Sequence, residues 1–355
     1  MNVDPQPHQT LISGPRALHT FGEWLAHSGF EHGAILCDAF TAEHSLPLLR
    51  RAAPFLNSWP VLVVPRGEPC KSIAEATRLW HQLTEYRIGR KDLLINLGGG
   101  SLTDLGGFVA STYLRGISFV HVPTTLLGMV DAALGGKTGI DLESVKNRIG
   151  TIVFPQSTVC DPVFLKTLPD EGWLDGLAES VKHAIVADKE LWKIISDSPD
   201  VRDALVNNLD RIQLVKLRVV EQDPFEKEQR MILNFGHSVG HGIESCALEA
   251  ELTMMTHGRA VAMGMVIESR IALQMGLLSV LDSDSIAARI TRHFGELNLS
   301  WMNPDRLVHF LRLDKKNSGG TIRMSLPECI GSCRTGVEVS EELVISVLSE
   351  NSNRP

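Results

Sequence analysis

Short apolar runs alternate with helical periodicity over about the first 160 residues. Strands are predicted at residues 33–38, 60–64, 93–97 and 119–122, which are predominantly apolar rather than alternating. Runs of this kind are typical of parallel strands buried on both faces. Ser72 is expected to cap a helix that ends before Gly89. The pattern therefore predicts an α/β unit with a parallel sheet.

From Pro169 onward, long helical periodicity replaces the strand-like runs. Helices are predicted to begin at Asp170 and to cover residues 203–220 and 258–275. We therefore predict two domains, at residues 1–168 and 169–355, of which the second is all-α.

Glycine-rich turns follow two of the predicted strands. The third strand runs directly into Gly98, Gly99 and Gly100, and a strand that leads through glycines into a helix cradles phosphate in dinucleotide-binding folds. The motif is not GxGxxG, so a simple tight turn is the alternative. A glycine-lysine turn at residues 135–139 follows the fourth strand. Lys137, Lys146 and Arg115 cluster in this region of an acidic chain, which favours anion binding over solvated charges.

Polar side chains occur at helical spacing in the apolar segment 230–244. On a single helix His237 and His241 would lie one turn apart, with Arg230 and Asn234 roughly on the same side. Burying such groups is costly unless something binds to them. The segment therefore predicts a metal or polyanion site, although a surface helix with two solvated histidines is the alternative.

A carboxylate could complete such a site. His257 lies at the start of a predicted helix and could reach His237, and a carboxylate with these two histidines would form an open three-ligand site typical of catalytic zinc. Glu179 lies in a separate predicted helix. The alternative for Glu179 and Lys182, three residues apart, is an ordinary surface ion pair.

Composition limits the classes of partner. The formal charge of −8 argues against a nucleic-acid partner, and no apolar run approaches the length of a membrane span. The first ten residues do not have the pattern of a signal peptide, and the six cysteines lack paired spacing. A cytoplasmic protein without a membrane or nucleic-acid partner is expected.

Eight collinear blocks over residues 33–331 resemble the 3-dehydroquinate synthase family, within the sugar-phosphate cyclase superfamily. They are GGGSLTDLGGF, YLRG with PTTLL, VDAALGGKTGID with KNRIG, FLKTLP, GLAESVKHA, RMILNFGHSVGHGIE, THGRAVAMGM and LDKKNSGG. The resemblance implies a Rossmann-like N-terminal domain that binds NAD, a helical C-terminal domain that binds zinc or cobalt, and an active site in the cleft between them.

The resemblance also implies particular ligands. The metal ligands would be Glu179, His237 and His257, which leaves His241 for the substrate. The residues implied for NAD are Asp38, Glu68, Lys71, Gly99, Gly100, Asp104, Thr124, Thr125, Lys137, Lys146, Phe164 and Thr167.

The implied reaction closes 3-deoxy-D-arabino-heptulosonate 7-phosphate to 3-dehydroquinate by transient oxidation, loss of phosphate, reduction and an aldol step. Lys216 and Arg230 would bind the substrate carboxylate, and Asp131, Lys182 and His241 would orient hydroxyls and move protons. The phosphate would be held by Lys137, Asn147, Asn234, Lys315 or Lys316, and Arg115 of a neighbouring subunit, which implies a homodimer.

Two departures and three alternatives accompany the resemblance. Arg259 stands where the family commonly has glutamate, and Ser238 where threonine is usual. Arg259 is expected to point to solvent. The alternatives are a sister cyclase that acts on an aminated substrate or on sedoheptulose 7-phosphate, a metal-dependent polyol dehydrogenase, and an inactive paralogue.

Overall fold

The computed structural model describes residues 10–143, 145–252, 255–296, 298–313 and 321–352. The chain divides into two compact units, Met1–Trp173 and Leu174–Pro355. The domain boundary predicted after Leu168 lies a few residues before this division.

A six-stranded parallel sheet forms the centre of the first unit. The strands of this unit, in chain order, are β1 (Thr10–Ser13), β2 (Gly33–Asp38), β3 (Val61–Val64), β4 (Leu93–Gly98), β5 (Ser118–Pro123), β6 (Lys137–Leu142), β7 (Val145–Ile152) and β8 (Ser157–Cys160). The sheet has the order β1-β8-β5-β4-β2-β3, and all its neighbouring strands are parallel. This topology confirms the predicted Rossmann-like α/β class.

The four strands predicted from apolar runs are confirmed as β2, β3, β4 and β5. Every residue of β2 and β4 is buried, as expected for strands covered on both faces. Strands β1 and β8 were not predicted because neither has an apolar run. In β8 the polar residues Ser157 and Thr158 are fully buried, so composition does not mark this strand as interior.

Five α-helices accompany this sheet among the described residues: α1 (Ala17–His27), α2 (Ala39–His44), α3 (Leu46–Ala52), α4 (Ile73–Glu85) and α5 (Gly100–Thr112). The predicted cap of α4 is confirmed, since the Ser72 hydroxyl accepts the Glu75 N–H at 3.2 Å. Helix α5 lies close to β4, because a Cβ placed on Gly106 would stand 2.0 Å from Asn96 Oδ1.

The glycine-lysine segment is a turn only as far as Gly136. Gly135 and Gly136 have positive φ angles of 89° and 71°, and Lys137 then begins β6. Strand β6 pairs with β7 in an antiparallel hairpin separate from the main sheet. Lys146 and Asn147 therefore lie on β7.

The second unit is rich in helices. The helix that leads into it, α6, begins at Asp170 as predicted. The helices are α6 (Asp170–Ala187), α7 (Lys189–Asp197), α8 (Val201–Asn207), α9 (Leu209–Gln222), α10 (His237–Glu249), α11 (His257–Gln274), α12 (Val280–Phe294), α13 (Pro304–Leu313) and α14 (Glu341–Ser352). None of the helices in the described part of the chain is long and apolar enough to cross a lipid bilayer.

Two details of the second unit differ from prediction. The helix expected at residues 203–220 is interrupted at Asn208, whose non-helical backbone separates α8 from α9. Strands β9 (Ile322–Cys329) and β10 (Ser332–Val339) form an antiparallel pair, so the unit is helix-rich but not all-α.

Candidate active site

Three side chains of the second unit converge as a candidate metal centre. Glu179 Oε1 lies 3.3 Å from His237 Nε2 and 3.5 Å from His257 Nε2. One ligand atom from each residue lies within 4.8 Å of the other two. A carboxylate oxygen and two imidazole nitrogens form a donor set that zinc and cobalt accept. The residues present therefore fit a divalent transition metal.

Helix geometry brings these donors together. Glu179 projects from the middle of α6, whereas His237 and His257 are the first residues of α10 and α11. Asp175 lies one turn before Glu179 on α6, and its Oδ1 accepts the Thr256 hydroxyl and the Gly258 N–H, both at 2.8 Å. The start of α11 is thus tied to the same helix that carries Glu179.

The second nitrogen of each imidazole has its own partner. His237 Nδ1 lies 3.2 Å from the Phe235 carbonyl oxygen, and His257 Nδ1 lies 3.4 Å from Glu244 Oε2. Both partners are acceptors, so Nδ1–H tautomers suit them and direct the Nε2 lone pairs toward Glu179. Outer partners of this kind orient histidines that bind metals.

Charge within the cluster is balanced by Lys182. Its Nζ contacts Glu179 Oε2, and both residues are almost fully buried, so the surface ion pair considered as an alternative is wrong. Burial and then the Lys182 charge lower the pKa of His237. Burial opposes protonation of His257 too, but hydrogen bonds to Glu179 and Glu244 outweigh it and raise the pKa of His257.

The predicted single helical stripe over residues 230–244 is wrong. Arg230 and Asn234 lie on a 3-10 turn, Gln229–Asn234, and α10 starts only after Gly236, whose φ is 78°. The left-handed residue breaks the helix and redirects the chain. His241 nevertheless stays beside the ligands, with its ring centroid 5.3 Å from that of His237 and 6.3 Å from that of His257.

The loop before α10 holds buried cations. Arg230 is 1% exposed and donates from Nη1 to the Pro224 carbonyl at 2.7 Å, and Lys216 on α9 is also buried. Asp223 organises this loop by accepting backbone N–H groups from Lys227, Glu228 and Arg230 at 2.9, 2.7 and 3.1 Å. Burial opposes its ionisation, yet these three donors lower the pKa of Asp223.

In the first unit, the residues implied for a nucleotide follow the carboxyl ends of strands in one sheet. Asp38 ends β2, Gly99 follows β4, Thr124 follows β5, and Phe164 lies on the turn after β8. This edge is where open parallel sheets bind ligands. The remaining members of the set are Glu68 after β3, Gly100, Thr125 and Thr167.

The glycine turn meets the start of α5 closely. A Cβ on Gly100 would lie 2.9 Å from the Ala132 Cβ, and one on Gly99 would lie 3.2 Å from Thr125 Cγ2. Gly99 stands at the N-cap position of α5 without a side-chain cap. The glycines of this turn and the N-terminus of α5 are suited to a pyrophosphate group.

The buried Lys71 is the centre of an ionic cluster beside this turn. Its Nζ lies 3.1 Å from Asp104 Oδ2, 3.6 Å from Glu68 Oε1 and 3.9 Å from Asp141 Oδ1. Burial raises the pKa of Asp104 to about 6 despite the lysine. For Glu68 burial acts in the same direction, but the Lys71 charge, the Ser101 hydrogen bond and the Lys146 charge together outweigh it and lower the pKa.

Asn147 lies in this cluster as well. Its side-chain oxygen accepts a hydrogen bond from Lys71 Nζ, and its N–H donates to Asp141 Oδ1 at 2.7 Å. Asn147, which is expected to hold phosphate, thus contacts Lys71, which the resemblance implies for the nucleotide.

Other predicted residues have distinct surroundings. The Asp38 carboxylate caps α2 by accepting the Thr41 N–H at 2.8 Å. Asp131 lies in a short π-helical turn, Gly128–Ala132, and Arg115 has a left-handed backbone with φ of 65°. Lys315 and Lys316 lie outside the described residues.

Arg259 does not point to solvent as expected. Its Nη1 donates to the Phe294 carbonyl at 3.1 Å, at the carboxyl end of α12. A cation at that position is favourable for the helix dipole. Arg259 is therefore directed to a neighbouring helix end.

Several carboxylates of the site were missed from sequence. Glu226 accepts a hydrogen bond from Asn234 Nδ2 at 3.2 Å, and Glu268 accepts two backbone N–H groups at the start of α10. Glu244 could have been found, because it lies seven residues after His237 on one helix face. Asp175, Asp223 and Asp141 carry no such signal, since their partners are backbone groups or distant residues.

Comparisons with known proteins agree with this geometry. The family model described as 3-dehydroquinate synthase N-terminal matches residues 61–175, and the one described as 3-dehydroquinate synthase C-terminal matches residues 176–317. A 3-dehydroquinate synthase of Sulfurovum sp. (strain NBC37-1) is 37% identical over 292 residues, or 82% of each chain. Another, from Chlamydia pneumoniae, is 34% identical over 349 residues and 91% of each chain.

Solved structures with the same fold include sugar-phosphate cyclases. A 2-epi-5-epi-valiolone synthase from Streptomyces hygroscopicus subsp. jinggangensis 5008, with NAD+ and Zn2+ bound, has a TM-score of 0.86 at 26% identity and covers 100% of this chain and 99% of its own. A 2-deoxy-scyllo-inosose synthase complexed with carbaglucose-6-phosphate, NAD+ and Co2+ has a TM-score of 0.82 at 24% identity over 96% of each chain.

The parallel sheet with its glycine turn, the three-donor cluster and the likeness to these solved structures place the fold among those of the sugar-phosphate cyclases. Within that class, the matched family models and relatives are specific. The chain belongs to the 3-dehydroquinate synthase family.

Proposed function

We propose that this protein is a 3-dehydroquinate synthase. It converts 3-deoxy-D-arabino-heptulosonate 7-phosphate to 3-dehydroquinate and inorganic phosphate, a reaction of the shikimate pathway that leads to aromatic amino acids. The observation that carries the proposal is the cluster of the buried Glu179 with His237 and His257 in a chain of this family.

Glu179, His237 and His257 would hold a zinc or cobalt ion. Such an ion supplies Lewis acidity that stabilises negative charge on the substrate oxygens at C4 and C5. Lys182 contacts the second oxygen of Glu179 and places a positive charge beside that carboxylate. Lys182, His241 and Asp131 orient hydroxyl groups and exchange protons with them.

The turn at Gly99 and Gly100 would hold the pyrophosphate of NAD at the start of α5. NAD bound there would supply a reversible hydride acceptor for C5 of the substrate. Lys71 holds Glu68 and Asp104 in place beside the turn. Asp38, Thr124, Thr125, Lys146, Phe164 and Thr167 complete this nucleotide set.

Arg230 and Lys216 would bind the substrate carboxylate. Both are buried cations, and the carboxylate of a substrate is an anion that suits them. A guanidinium also matches a carboxylate through two parallel hydrogen bonds. Sugar phosphates without a carboxylate do not supply this anion.

The phosphate group would be held by Lys137, Asn147, Asn234, one of Lys315 and Lys316, and Arg115 of a second subunit. The protein is therefore a homodimer in this proposal, with Arg115 supplied across the interface. Departing phosphate can use its own oxygens as base, so these residues mainly fix its position.

A second candidate is a cyclase that acts on sedoheptulose 7-phosphate. The specific observation in its favour is the likeness to the 2-epi-5-epi-valiolone synthase structure, at a TM-score of 0.86. The buried Arg230 and Lys216 argue against it, because that substrate has no carboxylate.

The deciding experiment measures phosphate release by the purified protein with NAD and zinc. One sample contains the heptulosonate phosphate, a second contains sedoheptulose 7-phosphate, and a third contains the heptulosonate phosphate with a chelator. Many turnovers per NAD in the first sample alone are expected. Release only from sedoheptulose 7-phosphate would favour the second candidate, and stoichiometric NADH without phosphate release would indicate a dehydrogenase.

A further inference from the structure

Helix α10, which begins with the metal ligand His237, cannot be capped by its own N-cap residue. That residue is Gly236, in a left-handed conformation with φ of 78°, and glycine has no side chain to accept an N–H. The first N–H groups of a helix have no partner within the helix. An acceptor for α10 must therefore come from elsewhere in the fold.

Glu268 of α11 is that acceptor. Its Oε2 accepts the Gly236 N–H at 2.6 Å, and its Oε1 accepts the Val239 N–H at 2.9 Å. The residue is 0% exposed. Each carboxylate oxygen takes one N–H, and the two donors bracket His237 on either side along the chain.

Close packing makes this cap rigid. A Cβ on Gly264, one turn before Glu268, would stand 2.0 Å from the Gly236 carbonyl oxygen, and one on Gly236 would stand 2.4 Å from Met265 Cγ. A Cβ on Gly240 would lie 3.1 Å from the Ala260 carbonyl oxygen. The backbones of α10 and α11 thus meet at three glycines. Glu268 links the two helices next to His237, the first residue of α10.

We propose that Glu268 is a positioning residue, which fixes His237 for the metal by capping helix α10 from helix α11. The proposal rests on the metal site of the proposed function. It assigns Glu268 no contact with the metal or the substrate. Its effect on metal binding passes through the placement of the His237 ring relative to Glu179.

The test is the variant Glu268→Gln, which keeps the shape of the side chain. A glutamine offers one acceptor oxygen and one NH2 group, so either Gly236 or Val239 would face a second donor. We expect zinc affinity, measured by chelator competition, to fall about 10- to 100-fold, as for loss of an outer partner. The absorption spectrum of bound Co2+ should shift, because the ligand geometry changes.

Asp200→Asn is the matched control. Asp200 caps α8 in the same unit by accepting two backbone N–H groups, from Arg202 and Asp203. This variant removes a comparable helix cap away from the metal ligands. It should leave both zinc affinity and the Co2+ spectrum unchanged.

A double-mutant cycle separates positioning from general destabilisation. If Glu268 acts through His237, adding Glu268→Gln to His237→Ala should weaken the remaining zinc binding by less than about twofold. Full additivity of the two losses would overturn the proposal. So would a folded Glu268→Gln protein with wild-type zinc affinity and an unchanged Co2+ spectrum.

Amide hydrogen exchange of the wild-type protein decides the question if Glu268→Gln does not fold. The Gly236 and Val239 amides should be protected without metal and slowed further by zinc, whereas rapid exchange in both states would overturn the proposal. Absence of any zinc binding by the wild-type protein would instead count against the proposed function.

Discussion

Each of the two units holds a cluster of charges around a buried central residue, and the two clusters have opposite arrangements. In the N-terminal unit one lysine, Lys71, is surrounded by three carboxylates. In the C-terminal unit one carboxylate, that of Glu179, is surrounded by a lysine and two imidazoles. The first cluster has more carboxylates than cations, and the second has more groups that can be cationic than carboxylates.

This difference separates a scaffold from a metal site. Lys71 keeps its proton, since its acidic neighbours raise its pKa against the effect of burial. Its cluster therefore holds a fixed cation and orders the loops around it. A metal ion that bound to the imidazoles around Glu179 would displace protons from them, because histidine binds metals through a neutral ring nitrogen. The Glu179 cluster therefore suits a metal ion, whereas the Lys71 cluster suits a structural role.

The largest effect is expected from Glu179→Gln, which removes the anion at the centre of the C-terminal cluster. Zinc binding should fall by more than the 10- to 100-fold typical of an outer partner, and phosphate release should be lost with it. Chelator competition and the phosphate assay measure the two losses.

The control is Glu190→Gln, because Glu190 and Lys193 have the same spacing as Glu179 and Lys182 but are more than half exposed. It should alter neither measurement. Zinc binding retained by Glu179→Gln would show that the cluster is only a buried ion pair.

The next effect is expected from Lys71→Met, which leaves Glu68, Asp104 and Asp141 without their shared cation. The free energy of unfolding of the N-terminal unit should fall by about 3 kcal/mol, at the low end for a broken buried pair because Glu68 keeps 39% exposure. NAD affinity should fall too, since the three carboxylates would repel pyrophosphate. Urea titration and NAD binding measure these changes.

Lys91→Met at an exposed lysine of the same unit provides the control. Unchanged stability and NAD affinity in Lys71→Met would mean that the carboxylates are satisfied without the lysine.

Local patterns in the sequence predict most of the N-terminal unit. The inner strands β2 and β4 are uninterrupted apolar runs, and Ser72 marks the start of α4 with a side chain that caps it. The polar, buried β8 and the hairpin after Gly136 carry no such local signal. They depend on pairing with distant strands, which periodicity does not encode.

The candidate site depends more on contacts distant in sequence. Residue type and spacing indicate that His237 and His241 belong to a site, but the break at Gly236 removes Arg230 and Asn234 from their helix. Glu268 lies 29 residues from Val239, and nothing near it marks it as a cap. Such a role becomes visible only when α10 and α11 are packed.

A smaller effect is expected at Glu244, the outer partner of His257. Glu244→Ala should weaken zinc binding about tenfold, because the His257 ring loses the acceptor that fixes its tautomer. Glu244→Gln keeps an acceptor oxygen and should weaken it less. Glu249→Gln, an exposed residue of the same helix paired with Arg306, should have no effect. Equal zinc affinity in all three variants would exclude a role for Glu244.

The smallest effect concerns pH and again contrasts the two units. Burial raises the pKa of Asp104 to about 6, whereas backbone donors overcome burial to lower that of Asp223. In the unfolded chain an aspartate carboxyl group has a pKa of about 3.9. The protonated Asp104 side chain therefore stabilises the folded state below about pH 4, and this contribution is lost as pH rises from about 4 to 6. The Asp223 contribution is present above about pH 4 and is lost as pH falls further.

Chemical unfolding of metal-free protein between pH 4 and 6 should thus show less decline with rising pH in Asp104→Asn than in wild type. We expect a difference of about 1 kcal/mol across the window, below the full value of the shift, because the Asp104 side chain keeps 21% exposure. Asp223→Asn should instead lower stability at pH 7 and approach wild type as the solution is acidified. The same pH profile for both variants would mean that the two carboxylates do not differ as their surroundings require.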